Sequence, residues 1–422
     1  MKTYPLLSRL SAWTSPLRLA SCVAGGAIAS LLFAPGCCLQ YRSDLKTGLH
    51  EERHCGPGSL KVCGGIPVVH VYGTPEQMGT QYGTLLKEPL HALVNYIEWF
   101  LPAIKRRWMI EQAMLAEPSL PEDLRLEFKA MAKAADLPYD WVVAINLTPK
   151  MHCSTLAAWG PASANGNLIM GRNSDYFGAG LTDRLGIAVV YHPEHGHAVA
   201  SFNFLGMMGA FTGMNDQGVC FGNMLVFNAK DDKQNPQGMT IQLLMRQAAE
   251  ASGDTEAFLD FLQNAKHSIP MNVMAADTRQ AAVIELSPSA PAVIRRAQKG
   301  ESWVASSNHF RDASLAECPV NCHRYAALAA AGEAGQQGAT LMTPQVMEQS
   351  LYAARIRLLN LQAVVFEPAA HRAYVSINKE PASAGPYVVF DMDKLFAGRE
   401  DPVIVPPAPS QNLRKEPFQL EH

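Results

Sequence analysis

The stretch that decides the fold runs from residue 152 to residue 175 and reads HCSTLAAWGPASANGNLIMGRNSD. It contains two runs of strand-like composition, 153–159 and 168–172, on either side of the dipeptide Asn165-Gly166. Asn-Gly favours a two-residue type I′ turn, because both central positions of that turn need a positive φ. The stretch therefore predicts a β-hairpin that brings its two outer ends together.

Chemically distinctive residues lie at those outer ends. The turn would place Cys153 opposite residue 178, and a bulge at Gly160-Pro161 would shift this pairing by one or two residues. Arg172 and Asp175 would then lie within reach of the Cys153 thiol. A neighbouring guanidinium lowers the pKa of a thiol and increases its thiolate fraction. On spacing alone two interpretations stay open: a nucleophile with a cation and a carboxylate, or a buried cysteine beside a surface ion pair.

Composition places the chain among globular proteins. It has 422 residues, with 35 Lys and Arg against 38 Asp and Glu and a formal net charge of −3. This near balance argues against a nucleic-acid-binding protein, which would carry a basic face. Hydrophobic residues make up 48% of the chain and charged residues 17%, so intrinsic disorder is excluded. The length fits two or three domains, or one large α/β or α+β enzyme domain.

The beginning of the chain has the features of an export signal. Lys2, Arg9 and Arg18 are followed by an uncharged run of apolar and small residues over 19–34. This run is short for a membrane-spanning helix, which needs about 20 residues. The small residues directly before Cys37 resemble a bacterial lipobox. We therefore predict a bacterial protein that is exported, either periplasmic or anchored to the membrane as a lipoprotein, with simple secretion or an uncleaved anchor as alternatives.

The sequence pattern divides the chain into five segments. They are an export leader over 1–37, a linker over 38–65, a mainly helical portion over 66–152, a catalytic domain over 153–400 and a Pro-rich tail over 401–422. After residue 153, predicted strands and helices follow in the order strands, helices, strands, helices, strands. This order is typical of two sheets sandwiched between helices, an αββα architecture.

The other cysteines of the exported part allow two interpretations. Cys55 with Cys63, and Cys318 with Cys322, would form two short-loop disulfides in an oxidising compartment. A four-cysteine zinc site is the alternative, although the spacings are not of the CxxC type. Neither interpretation gives Cys153 a structural role.

Several motifs occur in the order that one enzyme family shows. They are Gly73-Thr74-Pro75-Glu76-Gln77-Met78-Gly79 with Tyr82-Gly83, His152-Cys153-Ser154-Thr155, Asn165-Gly166-Asn167-Leu168, Gly171-Arg172-Asn173-Ser174-Asp175-Tyr176, Thr212-Gly213-Met214-Asn215-Asp216-Gln217-Gly218 and Ser306-Ser307-Asn308-His309-Phe310. Together they resemble peptidase family C45, the autoproteolytic acyltransferases and hydrolases of the penicillin acyltransferase type. These are N-terminal nucleophile hydrolases related to bile-salt hydrolases and acid ceramidase. The resemblance extends over about residues 66–395.

The resemblance implies a four-layer αββα fold and a specific reaction. The precursor would cleave itself between His152 and Cys153. The new α-amine of Cys153, with an ordinary pKa of about 7.7–8.0, would act as the base for its own thiol. The thiolate would attack the amide of a small acyl-amide substrate and form a thioester, which water or a second amine would then cleave. No metal or organic cofactor is needed.

The resemblance also assigns roles to individual side chains. Asp175 would orient the α-amine, and Arg172 would contact the thiolate or the substrate. Asn308 would donate a hydrogen bond to the oxyanion, an effect worth about 3–4 kcal/mol, with a turn cap as its alternative role. Asn223 would help to bind the oxyanion or the substrate. Arg324 lies where relatives often carry an arginine and would contact substrate, with a helix-surface ion pair as the alternative.

Three further expectations concern specificity and rival functions. An apolar acyl site is predicted from four side chains, Phe177, Met207, Met208 and Phe211. Relatives carry Gly or a small apolar residue where this chain has His152, which makes cleavage the step to test. The rivals are a lipid-directed amidase or phospholipase-B-like esterase, an exported binding protein without turnover, and a papain-like Cys–His protease that uses His309.

Overall fold

The computed structural model describes residues 40, 42–44, 46, 48–147, 152–181 and 183–406. The predicted leader with Cys37 lies outside these residues, as do residues 407–422 of the predicted tail. Within the described ranges, no helix is both long enough and apolar enough to cross a membrane.

Two sheets form the centre of the described structure. The ten-stranded sheet consists, in spatial order, of β1 (Arg53–Cys55), β2 (Gly58–Cys63), β3 (Ile66–Gly73), β6 (Gly186–Pro193), β7 (Val199–Phe204), β8 (Thr212–Asn215), β9 (Cys220–Leu225), β10 (Met271–Ala276), β11 (Ala281–Ser287) and β12 (Ala290–Arg295). The seven-stranded sheet consists of β13 (Trp303–Ser306), β4 (His152–Ala158), β5 (Ile169–Asp175), β14 (Asn360–Glu367), β15 (Arg372–Ile377), β16 (Tyr387–Asp391) and β17 (Val403–Val405). Neighbouring strands are antiparallel except for the parallel pair β3 and β6.

Helices cover the outer face of each sheet. The ten-stranded sheet packs against α1 (Pro75–Leu85), α2 (Lys87–Phe100), α3 (Ala103–Ala116), α4 (Glu122–Ala135), α5 (Tyr139–Leu147), α6 (Ile241–Ala251) and α7 (Thr255–Asn264), whose apolar residues share one buried cluster with it. The seven-stranded sheet packs against α8 (His323–Gln336) and α9 (Pro344–Ala353), and the short helix α10 (Met392–Phe396) follows β16. The predicted αββα sandwich is therefore confirmed.

The alternation of side chains along a strand explains the four layers. In β4, Cys153 and Ala157 belong to the apolar cluster between the sheets, whereas Leu156 and Ala158 belong to the cluster beneath the outer helices. Successive side chains of a strand point to opposite faces, so a strand that is apolar on both faces has to lie between two layers. Cys153 consequently faces the other sheet.

The boundaries predicted before residue 153 differ from the structure. Residues 53–63 are the edge strands β1 and β2 and not part of a linker. β3 agrees with the strand-like composition of residues 66–72, and it pairs in parallel with β6. Both edge strands are short and half polar, so their local pattern resembles irregular chain. Segments on both sides of the predicted cleavage point thus form one continuous sheet.

The motif that starts at Gly73 serves helix packing. Thr74 caps α1 as its sequence predicts. A Cβ atom at Gly79 would lie 2.1 Å from the carbonyl oxygen of Glu127 in α4, and one at Gly83 would lie 2.5 Å from that of Met131. The two glycines therefore allow α1 and α4 to pack with their backbones almost in contact.

The predicted disulfides and zinc site are absent from the described residues. All six described cysteines are free thiols, and no group of three metal-binding side chains is present there. Cys55 pairs with Gly58 at one end of the β1–β2 hairpin, whereas Cys63 ends β2. Along β2, Cys63 is five residue steps from Gly58, a distance of about 16 Å. A disulfide needs the Cα atoms of its two cysteines within about 7 Å of each other, so Cys55 and Cys63 are too far apart. The Cys322 thiol instead accepts a hydrogen bond at the start of α8.

Candidate active site

The predicted hairpin of β4 and β5 is present, but its register is different. Cys153 pairs with Ser174, and not with residue 178 or a position one or two residues away from it. The strands are joined by a longer connection than a two-residue turn, which includes a 3₁₀ turn at Gly160–Ala162. Arg172 lies two residues from Ser174 on the same face of β5, diagonal to Cys153. The tertiary structure therefore brings the thiol and the guanidinium closer than the sequence predicted.

Each polar atom of Cys153 has a partner from a different part of the chain. Arg172 Nη2 donates to its Sγ at 3.0 Å. Its backbone nitrogen donates to Asn308 Oδ1 at 2.9 Å, and its carbonyl oxygen accepts from Arg324 Nη1 at 3.0 Å. The residue is 0% exposed. The structure therefore fixes the position of this buried cysteine through its backbone as well as its side chain.

Arg172 connects the two sheets. From β5 its Nη1 donates to Ser174 Oγ and to Thr212 Oγ1 of the opposite sheet, and Gln362 Oε1 lies 3.4 Å away. Its Nη2 donates to the carbonyl oxygen of Asn223 at 2.9 Å and lies 3.3 Å from Asn223 Oδ1. These hydrogen bonds fix the orientation of the guanidinium and direct Nη2 to the Cys153 thiol. Asn223 thus lies beside Arg172, as a site residue should.

The close approach of Arg172 to the opposite sheet requires a glycine. A Cβ atom at Gly222 of β9 would lie 2.1 Å from Arg172 Cδ and 2.6 Å from its Nε. No other residue leaves room for the guanidinium at this point. Gly222 therefore contributes to the site because the absence of a side chain leaves space for Arg172.

Asp175 is a buried carboxylate with one oxygen held and the other unbonded. Its Oδ1 accepts a hydrogen bond from Asn360 Nδ2 at 2.9 Å. Within the described residues its Oδ2 accepts none, and Arg324 Nη1 lies 4.0 Å from it. Burial raises the pKa of Asp175 to about 6, against the lowering effects of Arg324 and of the Asn360 hydrogen bond. Asp175 pairs across the strands with His152, next to the predicted cleavage point.

Burial favours the protonated form of the Cys153 thiol. Complete burial raises the pKa of the thiol above its ordinary value, and the charge of Asp175 adds to this effect. The guanidinium groups of Arg172 and Arg324 oppose it without reversing it. A reaction at this sulfur therefore needs a base to take the thiol proton.

Asn308 and Arg324 hold the backbone of the nucleophile. Arg324 Nη1 also donates to Asn308 Oδ1 at 2.8 Å, and Asn308 Nδ2 donates to the carbonyl oxygen of Leu225 at 2.6 Å. Arg324 is 2% exposed, so the alternative of a helix-surface ion pair is wrong. This bond uses one of the two N–H groups of Asn308 Nδ2, and the predicted oxyanion role of Asn308 stays a prediction.

The four predicted acyl-site side chains do not form one pocket. Phe211 is buried in the inter-sheet cluster that also contains Cys153, but Met208 belongs to the cluster beneath the helices. Phe177 is 48% exposed on the surface, and Met207 packs partly against both clusters. All four lie in loops that flank β5, β7 and β8, and their role in an acyl site stays a prediction.

His309 takes part in a separate interaction. Its Nδ1 forms a hydrogen bond of 3.0 Å with Ser307 Oγ, and its ring packs edge-on against Tyr325. The hydrogen bonds of Cys153 run instead to Arg172, Asn308 and Arg324.

Sequence reasoning missed three polar side chains that support the site. Thr212 and Gln362 contact Arg172, and Asn360 contacts Asp175. A signal was available for the last two, because they are amides within the otherwise apolar run of 360–366. A buried amide has to be hydrogen bonded, which suggests a polar partner in the same layer.

The central part of the chain matches a known family. Residues 162–326 match the model of the family described as acyl-coenzyme A:6-aminopenicillanic acid acyl-transferase. This segment, less than half of the chain, is similar to the penicillin acyltransferase family. The family match contains the two arginines, the aspartate and the two asparagines of the site. It begins after Cys153, so the assignment of the nucleophile rests on the geometry given above.

Individual similar proteins match parts of this chain. Protein dcd1B of Dictyostelium discoideum is 24% identical over 258 residues, 53% of this chain and 50% of dcd1B. Protein dcd1A of the same organism is 23% identical over 303 residues, 58% of this chain and 68% of dcd1A. The chain thus spans half the length of dcd1B. A solved structure of the Caenorhabditis elegans ortholog of N-acylethanolamine-hydrolyzing acid amidase is 15% identical, with a TM-score of 0.41, over 60% of this chain and 100% of that one.

The raised pKa of Asp175 predicts how activity and stability depend on pH. If ionised Asp175 balances an ammonium group, hydrolysis falls when Asp175 is protonated, at a pH that the ammonium lowers from the value of about 6 in the uncleaved chain. The folded, uncleaved chain holds this proton more tightly than the unfolded chain does. The contribution of Asp175 to the free energy of unfolding therefore decreases as the pH rises from about 4 to about 6.

Rate profiles and urea unfolding between about pH 4 and about pH 8 check both effects. Asp175→Asn is expected to lose activity and to remove that part of the stability slope. An unchanged slope in Asp175→Asn would contradict the assignment.

Proposed function

We propose that this chain is a cysteine N-terminal nucleophile hydrolase that activates itself by cleaving the His152–Cys153 bond. The mature enzyme then hydrolyses the amide of a small acyl-amide substrate or transfers the acyl group to an amine. The similarity of residues 162–326 to an acyltransferase family supports the reaction class. Export, and lipidation at Cys37, belong to the same proposal and rest on the sequence of the leader.

One observation carries the proposal: the site holds the nitrogen, the carbonyl oxygen and the sulfur of Cys153 at the same time. A cysteine that only fills a core needs its side chain placed, and the ladder bonds of its strand suffice for its backbone. Here buried polar side chains are aimed at the backbone of Cys153 from Asn308 and Arg324. That arrangement suits a residue whose nitrogen becomes a free amine.

The proposed self-cleavage is an acyl transfer from nitrogen to sulfur within Cys153. The Cys153 sulfur attacks the carbonyl carbon of His152, and a C–S bond forms while the peptide C–N bond breaks. The thiol proton ends on the released nitrogen, so Cys153 gains an α-amine and the His152 acyl group becomes a thioester. Asn308 Oδ1 holds that nitrogen during the exchange. Water then hydrolyses the thioester, which frees the His152 carboxylate and restores the thiol.

Turnover repeats the same chemistry on a substrate. The α-amine takes the proton of the thiol, and the thiolate attacks the substrate carbonyl. The leaving amine takes the proton back from the α-ammonium as the C–N bond breaks. Water then gives the free acid, whereas a second amine gives a new amide. The α-amine and the thiol of Cys153 accept and return every proton of this cycle, so the proposed reaction requires no cofactor.

The neighbouring side chains have distinct tasks in this cycle. Arg172 stabilises the thiolate through Nη2, and ionised Asp175 balances the charge of the α-ammonium. Asn223 lies beside Arg172 where a developing oxyanion could be bound. Besides the N–H that it donates to the carbonyl of Leu225, Asn308 Nδ2 has a second N–H, which is the proposed donor to that oxyanion.

Intact mass and N-terminal sequencing of the purified wild-type protein test the proposal. We expect a fragment that begins Cys153-Ser154-Thr155 and one that ends at His152. Because Cys153 is 0% exposed in the uncleaved chain, amidase activity is expected to appear only with the fragments. A single uncleaved wild-type chain would contradict the proposal. The binding-protein interpretation would then fit the result, and loss of activity in His309→Ala would favour the Cys–His one.

The fragments are expected to stay together after cleavage. β3, before the cleavage point, forms a parallel pair with β6, after it, over six residue positions. Native size-exclusion chromatography should give one peak at the size of the uncleaved chain, and denaturing electrophoresis of that peak should give two bands. Dissociation of the cleaved protein under native conditions would contradict this prediction.

A further inference from the structure

Strand β14 carries two amide side chains within an apolar sequence. Asn360 and Gln362 are both 0% exposed, and the residues after them, 363–366, are Ala-Val-Val-Phe. Burial of an amide is unfavourable unless its donors and acceptors are satisfied. Two such residues in one central strand therefore point to partners that need them.

Gln362 faces the ten-stranded sheet and supports Arg172. Its Nε2 donates to the carbonyl oxygen of Phe202 at 2.9 Å, which fixes the orientation of the amide. Its Oε1 accepts from Thr212 Oγ1 at 2.6 Å and lies 3.4 Å from Arg172 Nη1. Gln362 thus belongs to the group of acceptors around the guanidinium.

Asn360 faces the opposite side and supports Asp175. Its Nδ2 donates to Asp175 Oδ1 at 2.9 Å and lies 3.2 Å from Asn173 Oδ1. Its Oδ1 accepts from the backbone nitrogen of Ser383 at 2.7 Å, which fixes which end of the amide points to the carboxylate. A neutral amide can donate to a carboxylate but cannot exchange a proton with it near neutral pH.

A bulge lets one strand serve both faces. Gln362 pairs with Ser174, but Asn360 pairs with Asp175, so Leu361 is an extra residue in β14. Leu361 remains in the inter-sheet cluster next to Gln362. A regular strand would have placed residue 361 opposite Asp175, and Asn360 one position further along.

We propose that Asn360 is the positioning residue for Asp175: it holds Oδ1 and so presents Oδ2 to the α-amine of Cys153. The inference rests on the proposed function, which supplies that amine. Asp175 Oδ2 is a buried acceptor that accepts no hydrogen bond in the described part of the chain. Asp175 pairs with His152, so the amine released at Cys153 arises beside this oxygen. Buried acceptors are normally satisfied, and the ammonium supplies the missing donor.

The other charged groups near Asp175 come from three directions. Arg324 of α8 lies 4.0 Å from Oδ2, Arg172 lies on the same strand, and Arg355 follows α9. On β4, the Cys153 thiol interacts with the carboxylate, and the titratable His152 pairs with Asp175 across the strands. Asn360 is the side chain that binds the carboxylate without adding charge. Its removal therefore changes the hydrogen bonding of Asp175 and leaves the surrounding charges in place.

Titration of Asp175 in the uncleaved protein provides the first test. In a Cys153→Ala background labelled with ¹³C-carboxyl aspartate, the Asp175 signal is identified by its loss in Asp175→Asn. Asn360→Leu keeps the size of the side chain and removes the donor, so we expect the pKa of Asp175 to rise by about one unit or more. Gln362→Met, an equally buried change on the same strand, is expected to leave that pKa unchanged.

The second test is the pH profile of the cysteine-containing enzyme. Asn360→Leu should shift the acid limb of amide hydrolysis to higher pH, with activity recovered on the alkaline side, which a general loss of packing would not produce. Gln362→Met should lower activity at every pH without moving that limb. If Asn360→Leu does not fold, Asn360→Ser, whose shorter side chain cannot reach Asp175 Oδ1, takes its place with the same expectation.

The two tests separate the inference from the proposed function. If wild-type protein cleaves itself but the Asp175 titration is the same with and without Asn360, the inference is overturned and the function stands. If the titration moves but no cleavage or hydrolysis occurs, the Asn360–Asp175 bond is real and the function that it was to serve is overturned.

Discussion

Cys153→Ala is expected to remain a single uncleaved chain without amidase activity. The substitution removes the one sulfur that Arg172 Nη2 contacts at 3.0 Å, and with it the nucleophile for both cleavage and turnover. Removing a nucleophile that works together with its base lowers the rate by about 10⁴- to 10⁶-fold. Intact mass and hydrolysis of acyl-amide substrates measure both effects. Cleavage of Cys153→Ala at the same bond would show that another group attacks His152.

Cys220→Ala is the matched control for this substitution. Cys220 is also 0% exposed in the inter-sheet cluster, and burial raises the pKa of its thiol as well. Its sulfur lies near Met170 and the carbonyl of Ala276, outside the group of residues around Arg172. The control should lose on the order of 1 kcal/mol of stability and cleave itself at the normal rate.

Gly222→Ala is expected to lower activity about 100-fold or more while the protein still folds. The added methyl would lie 2.1 Å from Arg172 Cδ, so the arginine has to shift. A shift of about 1 Å in a catalytic group is enough for a 100-fold loss. The bonds to Ser174 and Thr212 prevent a harmless rearrangement, because they anchor the guanidinium to both sheets. Self-cleavage should slow together with hydrolysis.

Gly79→Ala separates this effect from general strain. Its Cβ would lie equally close to a neighbour, 2.1 Å from the carbonyl oxygen of Glu127, but at the contact of α1 with α4. Both variants should lose stability, by about 1–3 kcal/mol for overpacking. Only Gly222→Ala should lose activity per folded molecule, as measured by hydrolysis rates on samples matched by circular dichroism. Normal activity in Gly222→Ala would contradict the role given to Arg172.

Local sequence signals predicted most elements of the fold. Residues 303–306 are strand-like and residues 255–264 helical in their composition, and the structure has β13 and α7 with these boundaries. Thr74 caps α1, and β4 and β5 form the predicted hairpin, although not through the predicted two-residue turn. These features depend on residues within a few positions of each other, so propensity, periodicity and capping suffice to find them. The edge strands β1 and β2 were missed because their few half-polar residues carry no clear period.

The resemblance identified the types of residue in the site, but their contacts came from the tertiary structure. Asn308 and Arg324 were predicted to act on the oxyanion and the substrate, yet both hold the backbone of Cys153. Asn360 and Gln362 were not predicted, because their partners lie on β5 and on the opposite sheet. Such contacts join residues far apart in sequence, and no local pattern records them.

The sequence by itself determined that apolar strands form two sheets and that helices cover them. It also determined that a cysteine lies near an arginine and an aspartate. Only the tertiary structure decided the register that pairs Cys153 with Ser174 and the bulge at Leu361. The reason is physical: the period of a strand fixes which face a side chain takes, but pairing is fixed by the length of the connection and by packing against other layers. The site depends on distances across both sheets, and those exist only once the sandwich has closed.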